Sequence, residues 1–204
     1  MLFVHGAGNE HSVWALQSRY FAHHGFNAVA VDLPAHGRSD GAALASVEAL
    51  ADWIRDFADA ALAGEAWRSS AIRWDRSQRS SARRAIPERV TKLALLGPPR
   101  RCRFPKRCST PRSATIASPA SSSPAGPTVR GKQIGGSQVP GLWLTGNALR
   151  LLERTRPGVL SRRSRRVQSV RVRAEASAAK VRCPALAIVG ARDLMAPSKN
   201  AQAR

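Results

Sequence analysis

The order of apolar and polar segments predicts an α/β chain with a parallel sheet covered by helices on both faces. Three observations lead there. An apolar strand, Leu2-Phe3-Val4, is followed by a helix, a second apolar strand and a second helix, an alternation that packs as right-handed βαβ units. The strand segments are short and almost wholly apolar, with Asn27 the only polar residue of the second, as expected for a sheet buried on both faces. Each of the first two strands also opens into a glycine-bearing loop: His5-Gly6-Ala7-Gly8-Asn9 after the first, and Asp32-Leu33-Pro34-Ala35-His36-Gly37-Arg38-Ser39-Asp40 after the second.

The elements follow in order. Ser12 is placed to cap a helix with Val13, Leu16, Tyr20 and Phe21 on one face, and Gly25 stops it. Phe26 to Val31 is rich in Val and Ala and suits a buried parallel strand. Ser46 precedes a second amphipathic helix with Val47, Leu50, Trp53, Ile54 and Phe57 inward and Asp52, Arg55, Asp56 and Asp59 outward, ended by Gly64. Lys92 to Gly97 is the next strand. Asn147 is expected to cap a short helix carrying Leu149, Leu151 and Leu152. Pro184 to Val189 reads as a buried strand, running into Gly190-Ala191-Arg192-Asp193. The Ser/Pro/Ala run at 114–127 has the composition of a disordered linker.

A strand ending in His-Gly-x-Gly, and a second ending in Asp-x-Pro-x-His-Gly-x-Ser about thirty residues later, resembles the α/β-hydrolase family, esterase- or haloperoxidase-like with a helical cap. The resemblance covers about 1–66, 87–98, 133–160 and 177–203. It implies that the first loop (His5, Gly6, Ala7, Gly8) supplies a backbone N–H to an oxyanion hole, with Ala7 the best donor. It also implies that Asp193, after the strand at 184–189, is the acid of a catalytic triad, whose task is to orient a histidine. The implied parent activity is hydrolysis of a small carboxylic ester through a serine acyl-enzyme, with no cofactor and no metal.

Two parts of that machinery are missing. No histidine follows His36, and no Gly-x-Ser-x-Gly stands where a strand should run into the nucleophile elbow. Gly37-Arg38-Ser39-Asp40-Gly41 matches the pattern literally, but seven residues separate Ser39 from Val31, whereas an elbow sits directly between strand and helix. The place of the elbow is held by Trp67-Arg68-Ser69-Ser70-Ala71-Ile72-Arg73-Trp74-Asp75-Arg76-Ser77. Asp193 is then a vestigial acid, with neither nucleophile nor histidine to serve. His5 and His36 belong to the loop motifs, and His23 and His24 sit at a helix end, where cationic side chains are mildly favourable and metal binding is not expected.

The net charge of +20 points first to a nucleic-acid binder, but its distribution argues against that. Residues 67–85, 100–132 and 161–173 carry 6, 8 and 6 Lys+Arg, 20 of the 33, beside a single acid, Asp75. The remainder has 13 basic and 12 acidic residues, like an ordinary enzyme. Codon logic offers an origin for the blocks. Read one nucleotide earlier, Trp74 followed by Asp75 forces a glycine codon, and residues 67–77 as a whole permit Ala, two apolar residues, then Gly-His-Ser-Met-Gly-Ser-Leu. Residues 99–109 and 161–168 likewise permit ordinary helix-forming sequence after a one-base shift. The blocks therefore read as frameshifted hydrolase sequence and are expected to be disordered or misfolded, since unpaired Arg68, Arg73 and Arg76 in a central strand would each cost several kcal/mol.

The expected organisation is an N-terminal part of a hydrolase core at 1–98, with 67–86 out of frame. A largely disordered remnant of a cap region follows at 99–176, and a truncated C-terminal core strand at 177–204. Five strands at most are expected, lacking a first hairpin and a last strand. Cys102, Cys108 and Cys183 form no zinc or disulfide pattern. No apolar run approaches the roughly 20 residues that span a bilayer, and the N-terminus is too short for a signal-peptide core, so no membrane association and a cytoplasmic location are expected. The competing reading is a basic nucleic-acid-binding protein, with Trp67 and Trp74 stacking on bases; incidental binding of that kind is expected in either case.

Overall fold

A computed structural model of the chain describes residues 1–6, 8–44, 46–61, 90–97, 144–156, 159 and 183–191. The three basic blocks, for which disorder is expected, lie outside these residues, as do Ala7, Gly64 and Asp193. The elements are β1 (Leu2–Val4), a 3-10 turn (His11–Trp14), α1 (Ala15–His23), β2 (Val29–Val31), α2 (Val47–Ala61), β3 (Leu93–Leu96), α3 (Leu144–Arg154) and β4 (Ala185–Ile188). β1 and β2 pair in parallel from Leu2 opposite Val29 to Val4 opposite Val31. β3 and β4 pair in parallel from Leu93 opposite Ala185 to Leu96 opposite Ile188.

Alternation along the strands sends side chains to two faces. On one face Leu2, Val4, Val31, Leu33 and Leu93 meet Leu50, Ala51, Ile54 and Ala58 of α2, with Trp53, Phe57 and Cys183 packed around them. On the other, Phe3 meets Trp14, with Phe21, Ala28, Ala30 and Leu96 around the pair. Short parallel strand pairs flanked by helices make this a partial α/β fold, as the sequence implies. α2 begins as expected: Ser46 Oγ accepts the Ala49 N–H at 2.9 Å, satisfying one of the first-turn donors. α1 also stops as expected. Gly25 has φ +80°, its N–H reaches the Ala22 carbonyl, and the Phe26 N–H reaches that of Phe21, a Schellman ending that needs a left-handed residue.

Four expectations are corrected. Ser12 does not cap α1: its hydroxyl donates to Glu10 Oε1, and the chain enters the helix through the 3-10 turn. With about three residues per turn there, Trp14 swings over Phe3 (ring centroids 5.6 Å apart), Phe21 follows at 5.9 Å, and Leu16 and Tyr20 face solvent. Asn147 is not a cap but an exposed residue one turn inside α3, which starts at Leu144. β4 is not buried: all four residues are exposed, Leu186 at 60% and Ile188 at 50%, because no described helix covers them. β2 is shorter than the apolar run that contains it, pairing only over Val29–Val31.

Candidate active-site loops

Because β1 and β2 are parallel neighbours, the loops that follow them leave the sheet side by side. His5, fully buried, joins them. Its Nδ1–H donates to the Gly6 carbonyl at 2.8 Å, and its Nε2 accepts the Leu33 N–H at 3.1 Å. Those two partners assign a neutral ring with the proton on Nδ1. His36 lies against it, ring centroids 5.0 Å apart, and donates from Nδ1 to the Pro34 carbonyl at 3.0 Å. Both histidines are engaged in holding the two loops together.

The first loop turns at Gly6–Asn9, closed by the Asn9 N–H on the Gly6 carbonyl at 3.3 Å, with Gly8 at φ +66°. That left-handed value is one glycine adopts without steric cost. Glu10 follows, 4% exposed, and accepts at Oε1 from Ser12 Oγ (3.0 Å) and from Arg154 Nη1 of α3 (3.2 Å). The Thr155 hydroxyl is shared between the Gly8 carbonyl at 3.3 Å and the Leu151 carbonyl at 2.9 Å.

The second loop is organised by Asp32. Its Oδ1 accepts the His11 N–H at 2.6 Å, and its Oδ2 lies 2.8 Å from His11 Nδ1 and accepts the Arg38 N–H at 2.9 Å. Burial pushes the Asp32 carboxyl up. The N–H groups of Arg38 and His11 and the adjacent imidazole together outweigh that and hold it below the ordinary carboxylate range. The backbone folds tightly around it: Ala35 takes φ +66°, and at Gly37 (φ +49°) a Cβ would fall 2.4 Å from Asp32 Oδ2. A carboxylate holding an imidazole Nδ1–H is also the arrangement that orients a catalytic histidine. Here the two bonds tie the start of the 3-10 turn to the end of β2, a clamp between the two loops.

Comparison with solved structures decides what kind of sheet this is. The chain superposes on a hydrolase from Pseudomonas aeruginosa PA01 with a TM-score of 0.72 at 17% identity, over 98% of this chain and 74% of that one. A lipase-esterase related protein from Clostridium acetobutylicum gives 0.65 at 17% identity, over 98% and 77%. A structure from work on carboxylesterases of Nitrososphaera gargenis gives 0.66 at 14% identity, over 95% and 72%. The chain has a partial α/β-hydrolase fold. No protein-family model and no curated protein matches the sequence.

Within the hydrolase fold, the residues expected to matter divide sharply. His5, Gly6 and Gly8 lie together at the end of β1, while Ala7 and Asp193 lie outside the described residues. Ser39, half-buried, has its N–H on the His36 carbonyl at 3.0 Å; it sits in the second loop, eight residues after β2 and eight before α2. His23 and His24 are exposed, His24 bonded through Nδ1 to the Tyr20 carbonyl. Among the described residues no cluster of His, Cys, Asp or Glu could hold a metal ion. Sequence reasoning missed the His11–Asp32 clamp and the Glu10–Arg154 pair. The first left a faint signal: an acid at a strand end with glycine five residues on suits a side chain that caps a turn. The second joins residues 144 apart and left none.

Proposed function

We propose that this chain descends from a serine hydrolase of small carboxylic esters and no longer turns them over. Its first loop, His5 to Gly8, is the oxyanion loop; Asp193 is the residual triad acid; and the place of the nucleophile elbow is held by residues 67–77, which carry no Gly-x-Ser-x-Gly. The observation that carries this reading is the pair of loops at adjacent parallel strand ends, His5-Gly6-Ala7-Gly8 held against Asp32–Asp40 by His5 and Asp32, in a fold shared with esterases. A loop of this kind places backbone donors where negative charge develops on a carbonyl oxygen. Without an activated nucleophile that stabilisation has nothing to act on.

In the same reading the substrate class of the parent is a small-molecule ester, no cofactor is used, and the chain resides in the cytoplasm. No helix among the described residues is long and apolar enough to cross a membrane. The excess of basic residues supports one incidental property, salt-sensitive binding of nucleic acid through the three blocks. Treatment with a fluorophosphonate probe, followed by intact-mass measurement, tests the main reading. The expected result is no adduct, and an adduct on Ser39 or any other serine would overturn it.

A further inference from the structure

α3 ends on the two loops. Its last residue and the two that follow make one contact each: Arg154 Nη1 with Glu10 Oε1 at 3.2 Å, Thr155 Oγ1 with the Gly8 carbonyl at 3.3 Å, and Arg156 Nη2 with Asp40 Oδ1 at 3.5 Å. The turn they touch is weakly held by itself. Among the described residues it closes with one backbone bond, Asn9 N–H to the Gly6 carbonyl, long at 3.3 Å, and Gly8 restrains it little.

We propose that residues 154–156 are a strap: docking of α3 orders the stretch from Gly8 to Val13, and release of α3 loosens that stretch while β1 and β2 stay paired. The three contacts do not weigh equally. Asp40 is almost fully exposed, so its pair with Arg156 is screened and contributes little. The Glu10 side chain is 5% exposed and, among the described residues, has the Ser12 hydroxyl as its one donor besides Arg154, so losing the arginine leaves a nearly buried carboxylate short of donors. Thr155 adds a hydroxyl to a carbonyl in the middle of the turn. Arg154 itself is 65% exposed, so dissolved ions reach one end of the strap and ionic strength sets how firmly it holds. The strap touches only the loop's carbonyl and carboxylates, so it stands whether or not the chain ever hydrolysed an ester.

Residue-resolved amide exchange on the full chain tests it, reading Asn9 and Val13 against Val29, whose N–H is bonded to the Met1 carbonyl across the β1–β2 pair. Arg154→Ala and Thr155→Val should each speed exchange at Asn9 and Val13 about tenfold and leave Val29 unchanged, the signature of local opening. Raising salt to ~1 M should bring the unsubstituted chain toward the Arg154→Ala rates, with no further response in Arg154→Ala or in Glu10→Gln. Unchanged rates at Asn9 and Val13 in both variants would overturn the strap. So would acceleration of Val29 in step with them, or a salt response that survives in Glu10→Gln.

Discussion

β1–β2 and β3–β4 are the same kind of object, two short parallel strands in register, yet their members β1 and β4 end in opposite environments. Leu2, Phe3 and Val4 are 1%, 0% and 0% exposed, sealed by α2 on one face and by Trp14 and Phe21 on the other. Leu186 and Ile188 keep half or more of their surface in solvent. Strand pairing aligns backbones in both places, but apolar burial, worth about 1.5–3 kcal/mol for a large aliphatic or aromatic side chain, covers all of β1, reaches β3 through Leu93, and leaves β4 out. The loops at 5–14 and 32–40 stand on the sealed pair, which is why two buried histidines and a buried carboxylate can be held there.

The largest expected effect separates the two pairs directly. Phe3→Ala should cost about 3–5 kcal/mol in a denaturant titration, from lost burial and the cavity left between Trp14 and Phe21. Ile188→Ala should cost less than about 0.5 kcal/mol, as exposed substitutions usually do. Losses of similar size at both positions would break the comparison.

The next effect sharpens what the sealed pair supports. Gly37→Ala should destabilise by about 1–3 kcal/mol, because it combines a left-handed backbone with a Cβ driven into the Asp32 carboxylate. Gly41→Ala is the control: it has φ +87° but nothing within 4 Å of its Cβ, so it should cost less. Equal costs would mean that Asp32 does not fill the loop as described.

The smallest effect is on pH. The Asp32 carboxyl is held below its ordinary value in the folded chain, so it binds a proton less readily there than when unfolded. Its stabilising contribution is therefore full above the unfolded value of about 4 and is lost as pH falls through the lower folded value. Asp32→Asn should be less stable at neutral pH by about 1.5 kcal/mol, one charge-assisted hydrogen bond. The gap to the parent chain should narrow on acidification, and a gap that widens toward low pH would contradict the assignment.

How much of this was legible in the sequence depends on whether a signal was local. α2 was, because Ser46 as a cap and the spacing of Leu50 and Ile54 act within one helix. Gly25 was, for the same reason. The inward face of α1 was not: Leu16 and Tyr20 fit the helical period, but Phe3 across the sheet captured Trp14 instead. Asn147 carried a cap preference of only about 1 kcal/mol, and α3 extends a turn beyond it. β4 was recognisable as a strand but not as an exposed one, since an apolar run reports a capacity for burial and not the presence of a cover. At the site, the two loops were legible as motifs, whereas the bonds that fasten them, His5 to Leu33 and Arg154 to Glu10, exist only in three dimensions.

The proposed loss of activity rests on a lost elbow serine, one that followed α2 and that we propose was removed by a change of reading frame in the block at 67–77. Sequencing the coding DNA across codons 67–77 tests that claim without any assay. The expected result is a neighbouring frame, one nucleotide earlier, that encodes an apolar strand end and Gly-x-Ser-x-Gly, with compensating insertions or deletions near codons 66 and 86. A neighbouring frame that encodes no Gly-x-Ser-x-Gly there would contradict it, and the basic blocks would then have to be read as evolved sequence.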